Sequence, residues 1–218
     1  MIERRLEPEI MDTADEAAAY DAMDHRAPNS AFVQRLVELG AHGDMLDIGT
    51  GPGHIPIVLC DTIADCRIVA IDLSQHMLDH ARRHLAASPH GGRVTFELAD
   101  AKGLPFDDAS FDCVFSNTIL HHIPEPRAFI AEAWRVLRPN GALLVRDLFR
   151  PDSEAALAQL VDTYAAGQTP QQRQLFADSL RAALTPDELR DVVASLRLDG
   201  VEVVVDTDRH VSIQRKAR

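Results

Sequence analysis

Positive charge is in short supply: 22 Lys and Arg stand against 34 Asp and Glu, a formal net charge of −12. So acidic a chain repels phosphate backbones, so nucleic acid is not an expected partner. The basic stretch Arg215-Lys216-Ala217-Arg218 reads as a solvated tail. No apolar run approaches the ~20 residues of a membrane span. Met1-Ile2-Glu3-Arg4-Arg5 holds no apolar stretch of signal-peptide type, so a cytoplasmic protein without a membrane span is expected. Cysteine is scarce. Cys60, Cys66 and Cys113 lack zinc-ligand spacing and fall in or beside predicted elements, as small hydrophobes do. Repeats and low-complexity tracts are missing too. What remains is a chain 46% apolar and 26% charged, long enough for one domain with its own core.

Residues 1–28 are polar and alanine-rich without a clean period. Residues 29–39 predict an amphipathic helix, capped by Asn29 or Ser30 and ended by Gly40. Short apolar runs then alternate with helical patterns. Strands are predicted over 45–48, 67–71, 94–98, 111–116 and 142–149, and helices over 54–63, 74–87 and 126–137. Pro139-Asn140-Gly141 reads as the turn that ends the last helix. Five strands alternating with helices predict an α/β, doubly wound parallel sheet covered on both faces.

After Pro151 the pattern changes. Residues 153–166 and 171–183 read as two helices with no strand between them, an insertion over 151–184. It is expected to cover the sheet edge where open α/β folds bind ligands. Thr185-Pro186-Asp187-Glu188 opens another helix, with Thr as cap, Pro in the first position and acids in the first turn. Two strands, 201–205 and 210–214, then predict an antiparallel pair.

Glycines 49, 51 and 53 follow the first strand and precede a helix. Such a turn lets a ligand approach bare backbone and cradles cofactors in doubly wound folds. No Lys-Ser/Thr follows, which rules out a P-loop. The spacing is G-x-G-x-G, with His54 where a dinucleotide loop of G-x-G-x-x-G type is expected to carry its last glycine. Asp72 ends the second strand, 19 residues beyond Gly53, where a carboxylate holds ribose hydroxyls. NAD and S-adenosylmethionine both meet that requirement.

Five stretches in order carry a resemblance. They are Leu46-Asp47-Ile48-Gly49-Thr50-Gly51-Pro52-Gly53; Val69-Ala70-Ile71-Asp72-Leu73-Ser74 with Met77; and Ala99-Asp100-Ala101 with Leu104-Pro105-Phe106. Phe111-Asp112-Cys113-Val114-Phe115-Ser116-Asn117 with Leu120-His121-His122, and Arg135-Val136-Leu137-Arg138-Pro139-Asn140-Gly141-Ala142, complete the series. The chain resembles class I S-adenosylmethionine-dependent methyltransferases over roughly residues 44 to 149, and among them the ubiquinone/menaquinone-biosynthesis type (methyltransferase type 11). The resemblance implies a Rossmann-like sheet of seven strands with a C-terminal antiparallel hairpin. It divides a single domain, 1–218, into a lid segment (1–28), a cofactor-binding core (29–150), the substrate-cover insertion (151–184) and a closing helix and strand pair (185–218).

The implied cofactor is S-adenosyl-L-methionine. Asp47 is implied to organise the loop and, through water, the methionine ammonium. Gly49, Thr50, Gly51 and Gly53 line the methionine and sugar, Asp72 holds the ribose, and Leu73 lies against the adenine. Asp100 and the Ala101 N–H read the base, and Ser116 and Asn117 border the methyl-donor end. Met77 reads mostly as core.

Methyl transfer from a sulfonium is an in-line displacement whose leaving group is a neutral thioether. Alignment and exclusion of water are the main tasks, and a base is needed only when the nucleophile loses a proton. His121 and His122 are the catalytic candidates, though adjacent residues cannot both face the site. Tyr20, His25 and Arg146 are lid or acceptor candidates, with Arg146 and Asp147 alternatively plain surface charges. His76, His80 and His84 share one helix face, opposite the apolar one, so they are expected to face solvent and no metal is expected. The expected partner is a small-molecule methyl acceptor. A non-catalytic module binding S-adenosylmethionine or its demethylated product, and an NAD-dependent oxidoreductase, are the competing readings.

Overall fold

The computed structural model describes residues 2–7, 13–22 and 26–218. Strands β1 (Asp44–Ile48), β2 (Arg67–Asp72), β3 (Val94–Leu98), β4 (Phe111–Asn117) and β5 (Leu137–Leu148) run parallel. β6 (Glu202–Val205) and β7 (His210–Arg215) join them as an antiparallel pair, giving the order β3-β2-β1-β4-β5-β7-β6. The order reverses between β1 and β4, and at such a switch point the C-terminal strand ends open onto a crevice.

The central strands are apolar on both faces because helices cover both. Met45, Cys113, Phe115 and Leu144 point to one side, under Phe32 and Leu36 of α2 (Arg26–Glu38) and Leu59 of α3 (His54–Thr62). Leu46, Val114, Leu143 and Val145 point to the other, under Phe129 and Ile130 of α5 (Pro126–Val136) and Leu189 of α8 (Pro186–Leu196). Successive residues go to opposite layers, as the two-residue period of a strand requires. Each such buried side chain contributes roughly 1.5–3 kcal/mol of hydrophobic stabilisation. Among the described residues, no helix is long and apolar enough to cross a membrane.

Three local expectations need correction. The segment read as lacking a period contains α1 (Ala14–Asp21), an alanine-rich helix of which only Ala17 is buried. Its signal is the capping box: Thr13 Oγ1 accepts from the Glu16 N–H, and the Glu16 carboxylate accepts from the Thr13 N–H. Helix α2 begins at Arg26, before Asn29 and Ser30, so neither caps it; Pro28 is tolerated because the first turn needs no N–H donor there. Lastly, β5 starts at Leu137, not after the Pro139-Asn140-Gly141 turn. Phe111 pairs with Leu137 but Cys113 with Ala142, so the turn residues bulge out of a continuing strand. Gly141 is required there, since a Cβ would lie 2.6 Å from the Asp112 carbonyl oxygen.

Within the insertion, α6 (Glu154–Tyr164) and α7 (Pro170–Ala182) form a small separate core with Leu148, centred on Leu157, Leu160 and Leu180. Helix α7 packs on a one-turn 3-10 helix, Leu120–His122, just beyond β4.

Candidate functional site

Gly49, Gly51 and Gly53 all adopt positive φ, at 76°, 55° and 76°. Gly53 is pressed against α4 (Gln75–Ala86) and β3, where a Cβ would stand 2.8 Å from Ala81 Cβ and 2.9 Å from Phe96 Cζ. It therefore performs the close packing that a dinucleotide loop assigns to its last glycine. Gly51 is the open one, its nearest neighbour being the Tyr20 ring at 3.9 Å.

The loop forms one wall of a cleft of about 1110 Å³, part of it open to solvent, at the sheet's switch point. Asp72 stands at its rim. Its Oδ2 accepts from the Gly51 N–H at 2.8 Å and its Oδ1 from the Ser74 N–H at 2.9 Å, so the carboxylate is aimed before any ligand arrives. Burial pushes this carboxyl up, and the Ser74 and Gly51 donors pull it back. Ser74, not Asp72, caps α4, accepting from the Met77 N–H. Leu73 is exposed on the wall, and Met77, buried as core, also borders the cleft.

Asp100 and Ala101 line the same cleft, with Lys102 beside them. Asp100 Oδ1 accepts from the Lys102 N–H at 2.8 Å and pairs with Lys102 Nζ at 3.0 Å. Gly49, Thr50 and Asn117 line the cleft as well.

Other candidates lie behind the wall. Asp47 is buried, its Oδ2 meeting no hydrogen-bond partner among the described residues, and the same holds for Thr50 Oγ1. Burial, opposed by the nearby Thr50 hydroxyl and reinforced by Asp72, pushes the Asp47 carboxyl up to about 7. Unpaired buried acceptors cost about 1–3 kcal/mol each, so this end of the cleft is suited to a ligand carrying hydrogen-bond donors. Gly53 is spent on packing. Ser116 Oγ donates to the Ile48 carbonyl at 2.8 Å, tying β4 to β1 rather than facing the cleft. Arg146 lies over the Phe32 ring at 4.8 Å and donates to Asn117 Oδ1 at 3.3 Å, also off the cleft wall.

The two adjacent histidines are separated as the sequence demands. His122 lines the cleft, whereas His121 is buried beneath it. Asp147 grips His121 twice, accepting from its backbone N–H at 2.9 Å and lying 2.7 Å from Nδ1. Asp147 is thus a buried ion-pair partner and not a surface charge. Desolvation pushes the His121 pKa down, but Asp147 and Glu7 outweigh it and hold the imidazolium above the ordinary range. Asp147 is correspondingly lowered against its own desolvation by His121. Glu7 Oε2 lies 3.3 Å from His122 Nδ1 and 3.8 Å from His121 Nε2, and Ser179 Oγ of α7 donates to Glu7.

Tyr20 reaches the cleft from α1. His25 lies outside the described residues. Among the described residues, no side chain of 151–184 lines this cleft; the insertion bears on it only through α7 and the 3-10 helix. Of the histidine face expected to meet solvent, His76 is exposed, but His80 and His84 pack under α1, with His80 Nδ1 2.7 Å from Asp21 Oδ2. Desolvation raises the Asp21 carboxyl, and His80, His84 and His54 together bring it below its ordinary range.

Sequence reasoning missed Glu7, Asn29, Lys102 and Thr118. Asn29 is buried on the cleft wall by the early start of α2. Thr118 adopts φ 66°, a strained conformation for a β-branched residue, immediately after β4 on the same wall. None of these carries a local pattern.

Residues 46–145 match the family described as a methyltransferase domain. The chain is 38% identical over 122 residues to the 27-O-demethylrifamycin SV methyltransferase of Amycolatopsis mediterranei (strain S699), covering 56% of this chain and 44% of that protein. It is 30% identical over 155 residues to the ubiquinone/menaquinone biosynthesis C-methyltransferase of Marinomonas sp. (strain MWYL1), covering 71% of this chain and 59% of the relative. The chain thus spans about half the length of the curated relatives it matches. Among solved structures, a SAM dependent methyltransferase from Aquifex aeolicus superposes with a TM-score of 0.66 at 17% identity, covering 94% of this chain and 99% of that one. The glycine turn, the rim carboxylate and the matched segment coincide in one place.

Proposed function

We propose that the protein transfers a methyl group from S-adenosylmethionine to a small-molecule acceptor by in-line displacement. The observation that carries the reading is Asp72, its carboxylate held at the rim of the cleft by the Gly51 and Ser74 N–H groups. In this reading Asp72 accepts from both ribose hydroxyls, Leu73 and Ala101 flank the base, and Asp100 accepts from the exocyclic amine. Thr50, and Asp47 through water, receive the ammonium at the end where their oxygens have no partner. Bound there, S-adenosylmethionine supplies the methyl on a sulfonium. The chain's own residues align the acceptor and exclude water, with Tyr20 of α1 as part of the cover.

His122, on the cleft wall, is the residue that touches the acceptor and takes a proton when the nucleophile must lose one. His121 is a positioning residue beneath it, locked by Asp147. A cytoplasmic location is part of the proposal, supported by three thiols that serve as buried small apolar groups.

Isothermal titration with S-adenosylmethionine tests the reading. Binding is expected in the wild type and should weaken about 10- to 150-fold in Asp72→Ala, as for lost hydrogen bonds to a charged group worth roughly 1.5–3 kcal/mol. No heat with the wild type, or equal affinity in the variant, would refute it. Formation of S-adenosylhomocysteine with an acceptor then separates an enzyme from a binding module. In that assay His122→Ala should lower kcat and leave cofactor affinity intact.

A further inference from the structure

Asp21, the last residue of α1, places its carboxylate among histidines of two other helices. Its Oδ1 is 3.2 Å from His54 Nε2 and 3.4 Å from His84 Nε2. That oxygen is buried and accepts no hydrogen bond from a described residue. Ligand atoms bonded tetrahedrally to zinc at ~2.0–2.1 Å stand about 3.3 Å apart, which matches the separation of each imidazole nitrogen from the Asp21 oxygen. The tautomer agrees as well. His84 Nδ1 lies 2.8 Å from the Pro52 carbonyl oxygen, which can only accept, so Nδ1 carries a proton and Nε2 is the nitrogen left to offer its lone pair to a metal. A backbone carbonyl behind the far ring nitrogen is the usual outer partner of a metal-bound histidine. His80 plays the matching part for the carboxylate, holding Oδ2 at 2.7 Å so that Oδ1 turns inward. The His54 and His84 rings stack with centroids 4.5 Å apart and planes 23° apart.

We propose that Asp21, His54 and His84 bind a divalent transition ion of the Zn²⁺ class, and that the ion pins α1 against the cofactor loop. The donors are two imidazoles and one carboxylate, a set that suits zinc. The three side chains come from the end of α1, the start of α3 and the last turn of α4, elements that the ion would staple together. His54 directly follows Gly53 and itself lines the cleft, and Tyr20 lines it from the residue before Asp21. Binding therefore orders one side of the cleft without touching the reacting atoms. Glu7, His121 and His122 also group closely enough for a metal, but this group belongs to the acceptor wall.

The test uses the full chain without a histidine tag, freed of metal by chelation, in the absence of cofactor and acceptor. Zn²⁺ titration should give one site per chain. Affinity should fall roughly 10- to 100-fold in His80→Gln, as for a lost outer partner, further still in His84→Gln and Asp21→Asn, and remain unchanged in His122→Gln. Hydrogen exchange on the wild type supplies a readout independent of variant folding: Zn²⁺ should slow exchange of the amides of residues 14–21. Stoichiometric binding lost only in His122→Gln would overturn the proposal, as would equal affinity in wild type and His84→Gln. Unchanged exchange in residues 14–21 on Zn²⁺ addition would do the same. Because no cofactor is present, these outcomes are separate from those that test methyl transfer.

Discussion

The two walls of the cleft are made of different materials. On the side of β1 and β2, the wall is backbone: the turn of positive-φ glycines, of which Gly49 and Gly51 face the cleft, with the Asp72 carboxylate fixed by the N–H groups of Gly51 and Ser74. On the side of the 3-10 helix, it is side chains gathered from distant places: Glu7, His122, Asp147 beneath it and Ser179 of the insertion. The first wall depends on what the chain can do locally, the second on what the whole fold brings together. A reaction class that shares one donor and varies the acceptor has reason to be built this way, since the second wall can change without disturbing the first.

Asp147→Ala is the strongest way to break the second wall. It leaves the buried His121 without its partner, and removing one member of such a pair costs about 3–5 kcal/mol. Urea unfolding should show that loss; a change under about 1 kcal/mol would mean that the pair does not hold the wall. Gly53→Ala strikes the first wall. The left-handed φ costs a non-glycine residue roughly 1–2 kcal/mol, and overpacking against Ala81 and Phe96 adds about 1–3 kcal/mol. The same unfolding experiment measures the sum, and cofactor affinity should fall with it.

The walls should also differ in pH response. The Asp47 carboxyl, raised to about 7, is mostly protonated below that pH and ionised above it. Affinity for the ammonium-bearing cofactor should therefore rise as pH passes through about 7, and Asp47→Asn should flatten the profile. In the unliganded protein the same raised group costs stability progressively as pH climbs from the ordinary carboxylate range through about 7. His121 and Asp147 contribute differently. The raised histidine stabilises fully below its ordinary pKa and loses that contribution as pH rises through its folded value. The lowered aspartate stabilises above the ordinary carboxylate range and loses its contribution as pH falls through its folded value. The pair thus helps most in mildly acidic solution. The smallest effect is expected at Thr13→Ala, where loss of the cap should destabilise α1 by about 1 kcal/mol and weaken cofactor affinity only slightly.

The same division explains what could be read from the residues. The glycine turn, Asp72 and the strand periodicity of the core are local, and all are visible in a linear chain. The capping box at Thr13 and Glu16 was equally visible, but four alanines and an absent apolar stripe hid the helix behind it. Glu7, Lys102 and the Asp147 grip on His121 have no local signature, because their meaning comes from partners placed by the fold. His80 and His84 depart from expectation for a related reason. Opposite an apolar stripe the default neighbour is water, yet here it is Asp21 at the end of α1. Ser116 shows the converse: its place in a motif suggested contact with the donor, and its hydroxyl is instead taken up by the Ile48 carbonyl.

The strand order has one further consequence, for the making of the molecule. β7, not β6, lies against β5, although β6 is synthesised first. Until residues 210–215 have left the ribosome, the long apolar β5 presents an unpaired edge, and β6 has no strand to pair with. An exposed edge of this kind invites pairing with another chain. The nascent protein therefore passes through a vulnerable stage that ends only when β7 slots between its two neighbours, closing the sheet in one late step.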